Sequence, residues 1–363
     1  METKKLIDCC EFISDGDHLP PPKSDSGVPF ITISNITGQN KLSFEDTMFV
    51  PESYYNGLNE NKKAQKGDIL YSVVGSFGKP VYVDFDKQMV FQRHIAILRP
   101  KRNVNARFIY YTMLNPQFYK LVDKLAIGCS QRTVTLDTLR NIEVNLPDKD
   151  IQDKMVGILS LIDEKIDINN NVNDNLEQQI QLIFDYLFPD VCAGNKHMGD
   201  FIIPKRGKSL LSKNAVHGNV PVIAGGLEPS IYHNVANTIA PVVTISSSGA
   251  NAGFVNIWGV PVWSSDSSYI DSEMSRYVYF WYAYLKRHQN NIYNIQTGSA
   301  QPHIYPSHIS SLPITDLDYK KIENYTEIVS PIFSTITKNH VENQHLQSLR
   351  DWLLPMLMNG QAT

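Results

Sequence analysis

Between Pro147 and Pro189 apolar residues stand at Ile158, Ile162, Ile166, Leu176, Ile180, Ile183 and Leu187, mostly three or four apart. Residues at that spacing share one helical face, so the pattern predicts a long helix over 150–188 with a coiled-coil seam. Asn169 and Asn173 interrupt the seam. About 170 residues later the pattern returns over 320–359 as Ile328, Ile332, Ile336, Asn339, Asn343, Leu346, Leu353 and Leu357, asparagines included. A seam asparagine lowers stability but selects register, because its amide demands a hydrogen-bonded mate. The two helices are therefore expected to zip against each other. Ile162, Ile166, Asn169, Asn173, Leu176 and Ile180 of the first would meet Ile332, Ile336, Asn339, Asn343 and Leu346 of the second. Pro331 lies inside the second helix and should kink it or delay its start.

Ahead of each helix the period shortens toward that of strands. Val28–Ile33, Asp68–Val74, Val81–Val83 and His94–Leu98 read as strands, with a turn at Gly75–Gly78. Asn105–Leu114 and Pro116–Leu125 read as short helices, followed by a polar loop at Gly128–Thr133 and a strand at Ile142–Val144. An aspartate at the long helix start, near Asp150, can cap its first turn. The order then repeats: Val220–Ile223, Pro241–Ile245 with the turn Ser246–Asn251, Arg276–Tyr279 against Arg107–Tyr110, Gly298–Gln301 against Gly128–Gln131, and Leu312–Ile314 against Ile142–Val144. The expected fold is α+β: two similar mixed α/β domains at 1–149 and 189–319, joined by long helices at 150–188 and 320–359 as a pseudo-twofold internal repeat.

A length of 363 residues agrees with two domains, and 42% hydrophobic residues are ordinary for a globular chain. The net charge of −4 is unevenly spread: Asp150–Asp190 holds nine acids against Lys154 and Lys165, while both globules are nearly balanced. That distribution permits a polyanionic partner without requiring one. No apolar run reaches membrane-spanning length, and no signal-peptide core follows Met1–Lys5, so a cytoplasmic chain with no membrane partner is expected. Cys9, Cys10, Cys129 and Cys192 have no metal-site or disulfide spacing.

Several motifs reduce to ordinary structure. Gly207-Lys208-Ser209 ends like a phosphate loop, but Ile202 stands where the first glycine belongs. Asn115-Pro116-Gln117-Phe118 approximates a base-gripping methyltransferase motif but sits at a helix boundary. Asp148 with Asp163-Glu164-Lys165 mimics a nuclease set, yet the latter three fall on the solvated face of the long helix. His303 with His308 and His340 with His345 lack the spacing that aims two imidazoles at one metal. No catalytic or metal-binding constellation emerges. What recurs in both halves is a set of polar loops: Ser76, Lys79, Gln92, Arg93, Gln131, Arg132 and Thr133 in the first, Ser247, Asn251, Ser264, Ser265, Gln301 and His303 in the second. Their amides and guanidinium groups can make two-pronged bonds to base edges.

The order Val28-Pro29-Phe30-Ile31, Asn35-Ile36-Thr37-Gly38, Gly67-Asp68-Ile69-Leu70 and Gly75, then a Gly/Gln loop, an Ile-x-Val-x-Leu-Pro strand and a long helix, all repeated, resembles the specificity subunit of type I restriction-modification enzymes. The likeness covers nearly the whole chain, with a shorter second domain and Pro331 as departures. It implies two target-recognition domains joined by two long, conserved antiparallel coiled-coil helices, each domain reading half of a split double-stranded DNA target. It further implies two methyltransferase subunits clasping the helices and restriction/motor subunits joining for cleavage. S-adenosylmethionine, ATP and Mg²⁺ would be held by those partners, with no cofactor and no catalysis in this chain. At ~1.5 Å per residue a helix of about 39 residues rises roughly 58 Å, more than one ~34 Å turn of DNA. The alternatives are a protein-binding scaffold or a stand-alone DNA-modifying enzyme. The exposed seams suggest self-association when the chain is isolated.

Overall fold

The computed structural model describes residues 2–129, 131–298 and 301–360. Ser130, Ser299 and Ala300 of the polar loops lie outside the described residues. The chain forms two compact units, Met1–Lys165 with His345–Thr363, and Ile166–Gln344. The division falls inside the long helices rather than at their ends, so each unit takes a section of both.

In the first unit a four-stranded antiparallel sheet orders Cys10–Asp15, Ile95–Pro100, Ile69–Ser72 and Pro80–Tyr82. A second sheet sets Val28–Ile31 between Phe49–Val50, antiparallel, and Val90–Phe91, parallel. Glu2–Lys5 pairs with Glu143–Leu146. Helices Ala106–Leu114 and Pro116–Leu125 start where the sequence provides caps. The Asn105 side chain accepts from the Phe108 N–H at 3.2 Å, and that of Asn115 from the Gln117 N–H at 3.0 Å. Asn115 is thus a helix boundary. The core joins Leu6, Tyr71, Leu98, Phe108 and Tyr111 to Met155, Val156 and Leu159 of the central helix and to Leu354 and Leu357 of the distal one.

The second unit repeats this plan. Its four-stranded sheet orders Lys205–Arg206, Ser267–Asp271, Val242–Ser246 and Val255–Trp258, all antiparallel. Val220–Ile223 lies between Ile231–His233, antiparallel, and Trp263–Ser264, parallel. Lys196–His197 pairs with Pro313–Ile314. The two units therefore share sheet order and strand sense, which establishes the internal repeat. The core gathers Val243, Ile245, Phe280, Tyr284 and Ile292 with Ile180 and Phe184 of the central helix and Ile322, Tyr325, Val329 and Phe333 of the distal one.

The long helices run Lys149–Leu187 and Tyr319–Met358. Asp150 lies in the first turn, where its charge complements the helix dipole, instead of capping from outside. Pro331 neither delays nor ends the distal helix. It sits on the exposed face, so only its own missing N–H bond is lost, while Val329, Phe333 and Ile336 keep the opposite face buried. Two seam expectations need correction: Ile158 is 47% exposed and Ile328 42%, while their neighbours Leu159 and Val329 are buried. With Leu159 the inward stripe, buried except at the half-buried Leu176, reads 155, 159, 162, 166, 169, 173, 176, 180, the strict alternation of fours and threes that one continuous seam requires.

The polar part of the seam lies within the second unit. Asn169 Nδ2 donates to Asn343 Oδ1 and to Glu342 Oε2, both at 2.8 Å. Asn339 Nδ2 donates to Asn173 Oδ1 at 2.8 Å, and Asn343 Nδ2 to Asn170 Oδ1 at 2.9 Å. Rising numbers on one helix meet falling numbers on the other, as antiparallel pairing demands. Ile162, Ile166, Ile180 and Ile336 are buried, while Leu176, Ile332 and Leu346 are half-buried. Among the described residues no helix is long and apolar enough to cross a membrane.

Candidate functional site

The same loop assembly is built in each unit at one end of its four-stranded sheet. In the first unit the Gly75 N–H donates to the Arg132 carbonyl at 2.9 Å and the Val134 N–H to the Val73 carbonyl at 2.8 Å. Ile127 and Thr133 exchange both backbone bonds, at 2.9 and 2.8 Å. In the second unit Gly249 donates to Pro302 at 3.1 Å, Ile304 to Ser247 at 2.9 Å, and Thr297 exchanges bonds of 3.0 and 2.8 Å with His303. Gly128 and Gly298 hold φ of 99° and 95° at the loop tips, a conformation that glycine adopts without strain. A Cβ there would stand 2.6 and 2.5 Å from the Gln131 and Gln301 carbonyl oxygens respectively.

The first strand of each sheet ends on another shared glycine. Gly16 donates to Ile95 and Gly207 to Ser267, and a Cβ on either would collide with a backbone oxygen, Phe91 at 2.1 Å or Ser264 at 2.5 Å. Gly207 is therefore a close-approach residue and not part of a phosphate loop. Around this glycine the charges are reversed. The first unit has Asp15 and Asp17 flanking the glycine and Arg93-His94 across from them. The second has Arg206 and Lys208 flanking it and Asp266 opposite.

Arg93 borders two cavities. One of about 270 Å³ is lined by Asp15, Arg93, His94, Gln131, Thr133 and Thr135 over an aliphatic floor that includes Val73 and Val134. The other, about 380 Å³, takes in Asp17, His18, Lys23, Gln92 and Arg93. Burial, with the Arg93 charge beside it, holds the His94 imidazole below its ordinary value, so it is neutral at pH 7. Asp15 Oδ2 lies 2.8 Å from His18 Nε2. Asp17 is held by the Tyr54 hydroxyl and by Lys62 at 3.4 Å. In the second unit Asp266 is paired with Arg206 at 2.7 Å and accepts from the Ser248 hydroxyl.

The fold thus brings Gln92, Arg93, Gln131 and Thr133 together. Ser76 and Lys79 stay exposed on the adjoining hairpin and line neither cavity, and Arg132 is turned onto the Asp123 carboxylate. In the second unit Gln301 is exposed, and Asn251 and His303 are half-buried. Ser247, Ser264 and Ser265 do not belong to a contact surface. All three are buried, Ser264 bonding Ser267 Oγ at 2.8 Å and Ser265 accepting from the Leu210 N–H at 3.0 Å. Serines in a polar run look solvated in sequence, but these end strands inside the sheet. Asp15 and His94 were missed. The signal for Asp15 was the pair Asp15-Gly16-Asp17 and Arg206-Gly207-Lys208, hidden because loop-length changes move it off the main repeat spacing.

A second surprise lies on the helices: Asp163 is not on a solvated face. Its Oδ1 receives Arg350 Nη1 at 3.0 Å and its Oδ2 the Tyr111 hydroxyl at 2.7 Å. Arg350, itself buried, also donates to Gln39 Oε1 at 2.9 Å.

The geometry defines a class of protein: a twice-built loop platform on a shared pair of helices. Residues 1–178 match the family described as type I restriction modification DNA specificity domain. Over 189 residues the chain is 28% identical to the type I restriction enzyme HindI specificity subunit of Haemophilus influenzae, covering 49% of this chain and 41% of that protein. It is 26% identical over 169 residues to the MjaVIII specificity subunit of Methanocaldococcus jannaschii, 45% of this chain and 39% of that one. These matches span only about two-fifths of each relative's length. A crystal structure of a type I restriction-modification S subunit from M. genitalium aligns with a TM-score of 0.57 at 17% identity, over 98% of this chain and 95% of that one, and shares the fold. Residues 1–178, just under half of the chain, thus carry the specificity-domain match, and the relatives found by sequence and by fold are type I specificity subunits.

Proposed function

We propose that the chain is the sequence-recognition subunit of a type I restriction-modification complex, reading a split DNA target with one half-site per unit. The observation that carries this reading is the loop platform made twice with the same backbone bonds but different side chains. A conserved frame with altered contacts is what reading two different half-sites needs. Adenine methylation and cleavage would belong to methyltransferase and restriction/motor subunits, which would hold S-adenosylmethionine, ATP and Mg²⁺. The central helix leaves Leu161 67% exposed and Tyr186 85%, with Ile158, Ile168, Val172 and Leu182 also uncovered, an apolar surface suited to such partners. Lys and Arg on the platforms would add salt-sensitive phosphate contacts.

The test is the genome-wide methylation motif of cells with and without this chain. A split motif that vanishes on deletion is expected; an unchanged methylome would sink the reading. Inserting about four residues in both helices should lengthen the unread spacer by about one or two base pairs and leave both half-sites intact.

A further inference from the structure

Resting on that reading, we infer that Arg93 reads a guanine in the half-site taken by the first unit, and that the second unit has no charged base reader at the matching place. Arg93 is exposed on the rim shared by two cavities, and among the described residues it has no ion pair. The nearby acids are already engaged, Asp15 by His18 and Asp17 by Tyr54 and Lys62. Arg93 Nε donates to His94 Nε2 at 3.4 Å, which leaves both Nη groups open, and that planar pair is a two-pronged donor that matches the O6 and N7 acceptors of guanine in the major groove. A phosphate could also accept that fork, but Asp15 and Asp17, lining the two cavities, would repel it. Gln131 and Thr133 on the same cavity supply uncharged neighbours for a base edge.

The second unit has no residue in the place of Arg93: the Val73 N–H donates to the His94 carbonyl as that of Ser247 does to Asp266, and the Gln92 N–H to Ile31 as that of Ser265 does to Ile223, so Asp266 matches His94 and the chain there is one residue shorter. Asp266 accepts only, and Arg206 and Ser248 already occupy it. Lys208 is exposed, but it stands in the place of Asp17, since the Asp17 N–H donates to Phe91 as that of Lys208 does to Ser264, and its ammonium lacks the planar fork.

The experiment expresses the full chain with its methyltransferase subunits and sequences the methylome for wild type, Arg93→Gln and Arg93→Lys. Both variants should become degenerate at one guanine of one half-site, with roughly tenfold or greater loss of discrimination, while the other half-site stays intact. The intact half also reports that the complex has folded. A duplex with 7-deazaguanine at that base, lacking the N7 acceptor, should bind wild type more weakly and leave Arg93→Gln indifferent. A guanine retained in full by Arg93→Lys would show that a charge without the planar fork suffices and would overturn the two-pronged contact, as would a motif unchanged in both halves by Arg93→Gln. A wild-type chain that yields no split motif would instead remove the DNA-reading role itself.

Discussion

Each unit seats its section of the helix pair at equivalent positions, and the two do so with opposite physics. In the first unit Asp163 and Arg350 form a charge pair, completed by Tyr111 and Gln39. About 170 residues away by the repeat, their counterparts in the second unit are Phe333 and Ile180, both in an apolar core. Beside them Phe184 packs against Phe188, Phe280 and Tyr325 with ring centroids 5.2, 5.6 and 5.6 Å apart. One architecture tolerates either solution because burial of the surrounding seam, and not the pair itself, supplies most of the stability. A buried ion pair is worth little net, whereas breaking one is expensive.

The largest effect should come from the aromatic side. Phe184→Ala empties the centre of that cluster and should cost roughly 3–5 kcal/mol in urea unfolding. Tryptophan emission should follow the loss, because Trp258, Trp263 and Trp281 lie in the second unit and only Trp352 in the first. A first unit that melts equally early would break the comparison.

Next in size is Arg350→Ile, which strands Asp163 and should cost roughly 2–3 kcal/mol. The double variant Arg350→Ile with Asp163→Phe transplants the apolar solution and should recover most of that loss. If the double variant is no better than the single one, the two seats are not interchangeable.

Smaller still is the seam. Asn343→Leu deprives Asn169 and Asn170 of a mate and should lower stability by about 1–2 kcal/mol, read from the urea midpoint. Replacing Asn169, Asn173, Asn339 and Asn343 together by leucine should raise the midpoint but broaden amide NMR resonances as register loosens.

The smallest effect is one of pH. Burial, with Arg287 beside it, keeps the His288 imidazole below its ordinary value. A depressed folded pKa means that the stability is complete above the unfolded value of ~6.5 and is lost as pH falls from there through the folded value. The second unit should therefore soften as pH falls below about 6.5, and His288→Gln should flatten that slope. His94 in the first unit is shifted the same way but stands half-exposed, so its share should be smaller.

Much of this was legible in the chain. Strand and helix positions followed from periodicity and from caps such as Asn105 and Asn115, and the repeat followed from matched glycines. The seam was read one residue off at Ile158 and Ile328 because successive helical residues differ by only ~100°, so two adjacent apolar residues compete for one face. Arg350 was overlooked for a related reason. It occupies the seam step between Leu346 and Leu353, where a search for apolar residues passes over a charge.

By itself the sequence determined the twofold repeat, the element order and the pairing chemistry of four asparagines, since these depend on local propensity and on spacing along one helix. Only the tertiary structure decided that Ser247, Ser264 and Ser265 are interior, that Asp163 has a buried cation, and that Arg93 keeps its Nη groups open on a cavity rim while Asp266 is neutralised. Those outcomes depend on which groups from distant strands arrive at the same place. Loops of unequal length erase that information from residue spacing, while the backbone hydrogen bonds of the sheet restore it.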